Sequence, residues 1–373
     1  MRRKTAIWLA TLGIAAGTVT PAFAISGGHE VRKPSDAPWM VTISSKDGGS
    51  AAERQQCGGV MISPTRAATA GHCLDHGDPT DLEIRVGGGS LSHPGRLVHM
   101  RGFAVHPRYR LIPSPSDPNS FEKSSVAYDV AIIELTKPVK GVRPVPVARH
   151  APAVGSSVRA YGHGWTKPPT EKNPHPVGDV LRSADMKVIG DGTCNTRLAG
   201  MAHGESVLCA QAPRAAICAG DSGGPLLKYG RRGPELAGIV SFGGEVAGKE
   251  CGQSSPGGFA DAAALRAWLT QARPALAPMP AGKLTIKGKR KAGAKLTCQV
   301  PRWAGKAPAK ITYTWAKSET GEDGFKFFVP VDGATKPTLT LTKDLARRDF
   351  VCTVDATSAG GTIQLEAQTP GAV

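Results

Sequence analysis

At 373 residues, with 46 Lys/Arg against 30 Asp/Glu and a formal charge of +16, the chain is longer than the ~100–200 residues of a usual domain, so two domains are expected. The positive charge does not point to nucleic acid: residues 281–373 hold 15 Lys/Arg against 8 Asp/Glu, three further cations open the chain, and no aromatic-rich basic motif accompanies them. A solvated surface, or weak attraction to an anionic cell envelope, is the expectation instead.

Residues 1–24 combine a basic start (Arg2, Arg3, Lys4), an apolar middle (Ala6 to Ala16) and the ending Ala22-Phe23-Ala24, the pattern of a secretory signal peptide. No later run of about 18 apolar residues could span a membrane, and Gln368 to Val373 has no anchoring pattern, so a secreted, extracellular protein without a membrane span is expected. Eight cysteines in an exported chain suggest disulfides, although the count alone leaves 105 full pairings open. No CxxC or short-spaced Cys/His cluster suggests a metal site.

Three segments then bear on chemistry. Thr69-Ala70-Gly71-His72-Cys73 places a histidine beside a cysteine, Tyr128 to Leu135 puts Asp129 at the head of an apolar strand, and residues 220–225 read Gly-Asp-Ser-Gly-Gly-Pro. Ser222 is the candidate nucleophile; a serine hydroxyl needs a general base and a group to orient that base, and His72 and Asp129 can supply them. Alone, such a histidine is usually structural and such an aspartate a turn residue; together with the hexapeptide they read as one constellation. Pro113 to Ser120 and Pro168 to Pro176 read as surface loops.

Farther on, Leu265, Trp268 and Leu269 have the spacing of an amphipathic helix, and Pro274 to Gly282 is Pro/Ala-rich, as a linker would be. Beyond it apolar residues alternate at Leu296, Cys298, Val300, at Ile311, Tyr313, Trp315, at Leu339, Leu341 and at Phe350, Cys352, Val354, which argues an antiparallel sandwich. The order Cys298, Trp315, Cys352 resembles an immunoglobulin-like domain with a tryptophan packed on an inter-sheet disulfide. Phe350 departs from that pattern, since it lacks the hydroxyl of the tyrosine corner, and a generic β-sandwich is the alternative.

The order histidine, aspartate, serine, together with Ile25-Ser26-Gly27-Gly28, Gly162-His163-Gly164, Ser241-Phe242-Gly243 and a helical stretch from Asp261 to Ala272, resembles the chymotrypsin/trypsin-like serine endopeptidases over residues 25 to 273. The resemblance implies an all-β fold of two antiparallel barrels with a closing helix. It also implies His72 as base, Asp129 as its orienter with Ser241 beside it, Ser222 as nucleophile and the Gly220 and Ser222 N–H groups as the oxyanion hole. The α-amino group of Ile25, freed by cleavage, would pair with Asp221. By the same resemblance Cys57 bonds Cys73, Cys194 bonds Cys209 and Cys218 bonds Cys251, leaving Cys298 for Cys352. The specificity pocket would have Ala216 as its floor, Ile217 beside it, Gly243 and Gly257 on its walls and Ser241, Phe242 and Gly243 along the substrate. Without a carboxylate at that floor a buried basic side chain is disfavoured and an apolar or aromatic P1 residue expected. Gly87 to Arg101, where the family's calcium loop would fall, lacks Asp and Glu, so neither metal nor cofactor is expected.

The expected organisation is therefore a leader at 1–24, a protease unit at 25–273, a linker at 274–282 and a sandwich at 283–373 that folds separately and takes no part in catalysis. Expected partners are protein or peptide substrates, a protein inhibitor and a cell-envelope or extracellular ligand for the sandwich. A silent protease-like binding protein and a serine hydrolase acting on esters are the rival functions.

Overall fold

The computed structural model describes residues 25–369 except 121–122, 203 and 322–323; the leader expected at 1–24 lies outside the described residues. The first half of the unit expected at 25–273 is a seven-stranded antiparallel sheet in the order Arg96–Val98, Leu82–Val86, Met40–Ser45, Gln55–Ser63, Arg66–Thr69, Ala131–Leu135, Met100–Val105. It curls round Val41, Ile43, Val60, Phe103, Ile132 and Ile133, all at most 1% exposed. Its end strands follow one another through the single residue His99, too short a link for a hairpin, so the sheet curls without joining those two edges.

The second half closes. Six strands run Arg182–Ile189, Ser157–Gly162, Pro225–Gly230, Gly233–Phe242, Gly257–Asp261, Val207–Gln211 and return to the first through the pairs Lys187 with Gln211 and Ile189 with Cys209. A register shift between Val240 and Phe242 makes Ser241 an extra residue in its strand, and such bulges re-aim a side chain. The closing helix is shorter than expected over 261–272: only Arg266–Leu269 is helical. Asp261 Oδ1 accepts from the N–H groups of Ala263 and Ala264 at 2.9 and 3.1 Å, and residues 262–265 form turns ahead of the helix. Arg66 fastens this end to the first sheet. It pairs with buried Glu134 and donates to the carbonyls of Leu269 and Gln271 at 3.1 and 2.7 Å.

After the helix, two sheets face one another: Thr285–Lys287, Lys295–Gln299 and Thr338–Thr340 in one, and Lys326–Pro330, Lys310–Thr320, Phe350–Ser358 and Gly361–Gln368 in the other. Trp315 is fully buried, its indole N–H donating to Lys336 O at 2.9 Å, and the Cys298–Cys352 disulfide joins the sheets. Residues 274–282 are pinned where they cross: Ala277 N–H donates to Phe103 O at 2.8 Å and Ala281 N–H to Arg302 O at 2.7 Å. The core of the first sheet runs without a break into that of the sandwich.

Candidate active site

Asp129 heads the strand Ala131–Leu135 after Tyr128, whose φ of +54° is left-handed. That backbone costs about 1–3 kcal/mol for a non-glycine residue. It is held by Ser206 Oγ, which accepts from the Tyr128 N–H at 3.0 Å, and by the Arg108 guanidinium 4.0 Å above the ring. The Asp129 carboxylate, 1% exposed, gathers three donors. His72 N–H reaches Oδ1 at 2.9 Å, while His72 Nδ1–H and the Ser241 hydroxyl reach Oδ2 at 2.8 and 2.5 Å.

Burial works against charge on both partners, and each then holds the other in its charged form. Burial lowers the His72 pKa, but the Asp129 charge and hydrogen bond outweigh it and leave the imidazole above its ordinary value. Burial likewise raises Asp129, and the charge and hydrogen bonds of His72 with the Ser241 hydroxyl bring it below the usual carboxylate range. The arrangement fixes the proton on Nδ1 and leaves Nε2 to accept. The sulfurs nearest His72 are joined as Cys57–Cys73, so no thiolate is available there for a metal.

The loop at residues 220–223 lies against the strands Gln55–Ser63 and Arg66–Thr69. Ser222 O accepts from Gly58 N–H at 2.7 Å, and Gly223, at φ +78°, sits so close that a Cβ would lie 2.2 Å from Thr69 Oγ1. Gly220 has φ +86°, a conformation open to glycine. Its carbonyl accepts from Gln55 Nε2 at 2.9 Å. Gln55, 8% exposed, follows the four-residue helix Ala51–Arg54 capped by Ser50, and sequence reasoning missed it. Asp221 is buried beneath the loop, its oxygens accepting from the Gly164 and Cys218 N–H groups at 2.8 and 2.9 Å. Burial pushes its pKa up to about 7 against those two bonds, and the Glu245 charge pushes the same way.

Ile25 is fully buried in the core of the closed barrel. Its neighbour Ser26 accepts at its carbonyl from Ala216 N–H at 3.0 Å, which ties the N-terminal segment to the expected pocket floor. Ala216 and Ile217 are 3% and 4% exposed. Ile217 crosses toward Gly257, where a Cβ would be 2.9 Å from Ile217 Cδ1. Phe242 covers Gly258 and packs with the Cys194–Cys209 disulfide. Nothing in the sequence pointed to Glu245, whose Oε2 lies 2.4 Å from where a Gly243 Cβ would be; its one signal is its place two residues after a glycine expected on the pocket wall. Disulfides join Cys194 with Cys209 and Cys218 with Cys251 around these walls. His106, stacked on Tyr128 and edge-on to Trp268, and His163 are each lowered to about 4 by burial, so they are neutral outside the pair.

Residues 25–269 match the family described as Trypsin. Among similar proteins, trypsin iota of Drosophila melanogaster is 30% identical over 278 residues, covering 73% of this chain and 97% of its own length. Hypodermin-B of Hypoderma lineatum is 31% identical, covering 66% of this chain and 86% of itself. Granzyme M of Homo sapiens is 30% identical, covering 64% and 86%.

Proposed function

Since the chain belongs to the trypsin family and is a serine-type endopeptidase acting on protein or peptide substrates, we propose that His72, Asp129 and Ser222 are the residues that do its chemistry. The hydrogen-bond chain from Ser241 through Asp129 to His72 carries this reading. His72 Nε2 takes the Ser222 proton as Oγ attacks the scissile carbonyl, then returns it to the leaving amine; water deacylates the enzyme by the same route. Asp129 holds the tautomer and stabilises the imidazolium. The Gly220 and Ser222 N–H groups receive the oxyanion, each such donor contributing ~3–4 kcal/mol to the transition state. Gln55, by holding the Gly220 carbonyl, fixes the turn that presents the Gly220 donor. A fluorophosphonate should label Ser222 stoichiometrically in the parent and not in His72→Ala; labelling at another residue sinks the assignment.

Residues 1–24 direct export, and cleavage before Ile25 frees an ammonium group for Asp221, so the mature enzyme acts outside the cell. Cleavage after Ala22 would instead leave Phe23-Ala24 for a second protease. N-terminal sequencing of secreted Ser222→Ala protein, which cannot process itself, decides between them. Residues 25–273 are the protease domain and 283–373 an accessory β-sandwich of immunoglobulin-like kind.

The pocket prefers apolar P1 residues because Ala216 and Ile217 offer no charge at its base. Ile217, lying across toward Gly257, narrows it in favour of Leu, Met or Phe. Comparing kcat/KM for Phe, Leu and Lys substrates tests this: a preference for Phe or Leu retains the apolar reading, and a preference for Lys overturns it.

A further inference from the structure

The strands Phe350–Ser358 and Gly361–Gln368 form a hairpin whose turn meets the protease unit rather than solvent. Two carbonyls of that turn, two residues apart, accept from two different segments of the candidate site. Thr362 O accepts from the His76 N–H at 3.1 Å, and Gly360 O accepts from the Val105 N–H at 2.8 Å. His76 ends the short loop that begins at His72. Within that loop Gly71 O accepts from the Leu74 and Asp75 N–H groups at 3.0 and 2.9 Å, and His76 itself stands at φ +55°. Val105 is the sheet partner of Ala131, two residues past Asp129. One turn therefore holds the segment that follows His72 and the strand that aligns Asp129.

The turn is itself held. Ser358 Oγ–H donates to Leu276 O at 2.8 Å while accepting from the Gly360 N–H at 3.0 Å. Gly360 lies so close to residues 275–277 that a Cβ would fall 2.1 Å from Leu276 C and 2.4 Å from Ala277 N. Asp355, on the first strand of the hairpin, adds its charge to that of Asp75 around His76. Exposed peptide groups in a mobile loop are ordinarily satisfied by water; here main-chain bonds from a distant segment replace it and fix the loop's position.

We propose that the turn Ser358–Thr362 positions the His72–Asp129 pair for proton transfer, so that the sandwich, expected from sequence to take no part in catalysis, sets the geometry of the general base. It touches neither substrate nor reacting atoms, and its effect passes through the loop after His72 and the strand beside Asp129. The inference rests on the triad reading above.

The test compares full-length Gly360→Val, in which the side chain must push the turn off residues 275–277, with Leu296→Ala, which loosens the sandwich far from the junction. Both are assayed below their melting temperatures. With Gly360→Val, kcat on a small peptide should fall ~10–100-fold while KM stays within about twofold, because a displacement near 1 Å can cost ~10²-fold. The far-downfield proton resonance shared by His72 Nδ1 and Asp129 should shift or broaden as well. Leu296→Ala should keep the parent's kcat and resonance despite its lower melting temperature. If Gly360→Val does not fold, Ser358→Ala, which loses the hydroxyl's two bonds, is read the same way, with a smaller fall in kcat and a shifted resonance expected. Variants with the parent's kcat and resonance overturn the inference, as does a Leu296→Ala protein that loses kcat equally, since that is mere destabilisation. A parent not labelled at Ser222 by the fluorophosphonate overturns the triad reading and this inference with it. A labelled parent with unchanged variants overturns this inference alone.

Discussion

On the proposed cleavage before Ile25, that peptide bond should control the stability of the protein through Asp221. In the uncleaved chain the Ile25 nitrogen is an amide, and burial raises the Asp221 pKa from 3.8 to about 7. The folded state therefore binds more protons than the unfolded state between those values. The Asp221 contribution to stability should be fully present below about pH 4, fall as the pH rises and level off above about 7, an expected loss of ~4 kcal/mol at about 1.4 kcal/mol per pH unit. The proposed cleavage would supply an ammonium partner, returning Asp221 to the ionised state and removing this loss. The partner's own pKa is raised above its free value of about 7.7–8.0, so the gain persists at lower pH and disappears as the pH climbs through the raised value. Guanidinium unfolding of two Ser222→Ala chains, one beginning at Ile25 and one at Ala24, measures the effect. They should be nearly equal at about pH 4 and differ by ~3–5 kcal/mol near pH 7.5, the cost of a buried charge without its partner. Identical pH slopes for the two chains would refute the reasoning.

Asp129→Asn should lower kcat ~10⁴-fold, because an amide cannot hold the Nδ1–H tautomer. In the parent, kcat/KM should rise with pH through a midpoint above 6.5, the ordinary value for histidine, since only neutral His72 accepts a proton; a pH–rate profile with its acid limb below that value contradicts the pairing. Gln55→Leu removes the amide from the Gly220 carbonyl and should lower kcat ~10-fold, less than the ~10²-fold for losing an oxyanion donor itself. Its stability should change little, because Gln55 Oε1 finds no partner among the described residues; steady-state kinetics and a melting curve check both halves. Arg66→Met leaves buried Glu134 with only Arg101, 3.7 Å away, among the described residues, and should cost ~3–5 kcal/mol by guanidinium unfolding.

Much of the fold could be read from local pattern. Alternation marked the sandwich strands, and the apolar run after Asp129 marked a strand buried at every position, as the structure has it over Ala131–Leu135. The closing helix, placed over 261–272 by the family resemblance, is regular only over Arg266–Leu269 and is preceded by turns; the spacing of Leu265, Trp268 and Leu269 marks an apolar face without fixing where regular helix begins. The candidate site was legible where chemistry fixes residue type, as in Gly-Asp-Ser-Gly-Gly-Pro. It was illegible where a residue acts through position alone. Gln55 lies 165 residues from the carbonyl it holds, and Glu245 reaches its wall by folding back over Gly243. The turn at residues 358–362 acts through main-chain carbonyls, which no choice of side chain advertises; its marks on the sequence are Gly360, at a spot where a Cβ would strike backbone, and Ser358, whose hydroxyl holds the turn.

The bond from His76 N–H to Thr362 O also has a consequence in time. Synthesis runs from the N-terminus, so the loop carrying His72 emerges long before the turn that anchors it. The contact between residues 76 and 362 closes a long loop, and the entropy of that closure must be overcome before the contact forms. The two barrels can therefore gather while the loop after His72 still lacks its far support, and the precise setting of that loop belongs to the slow, non-local stage of folding rather than to the local one.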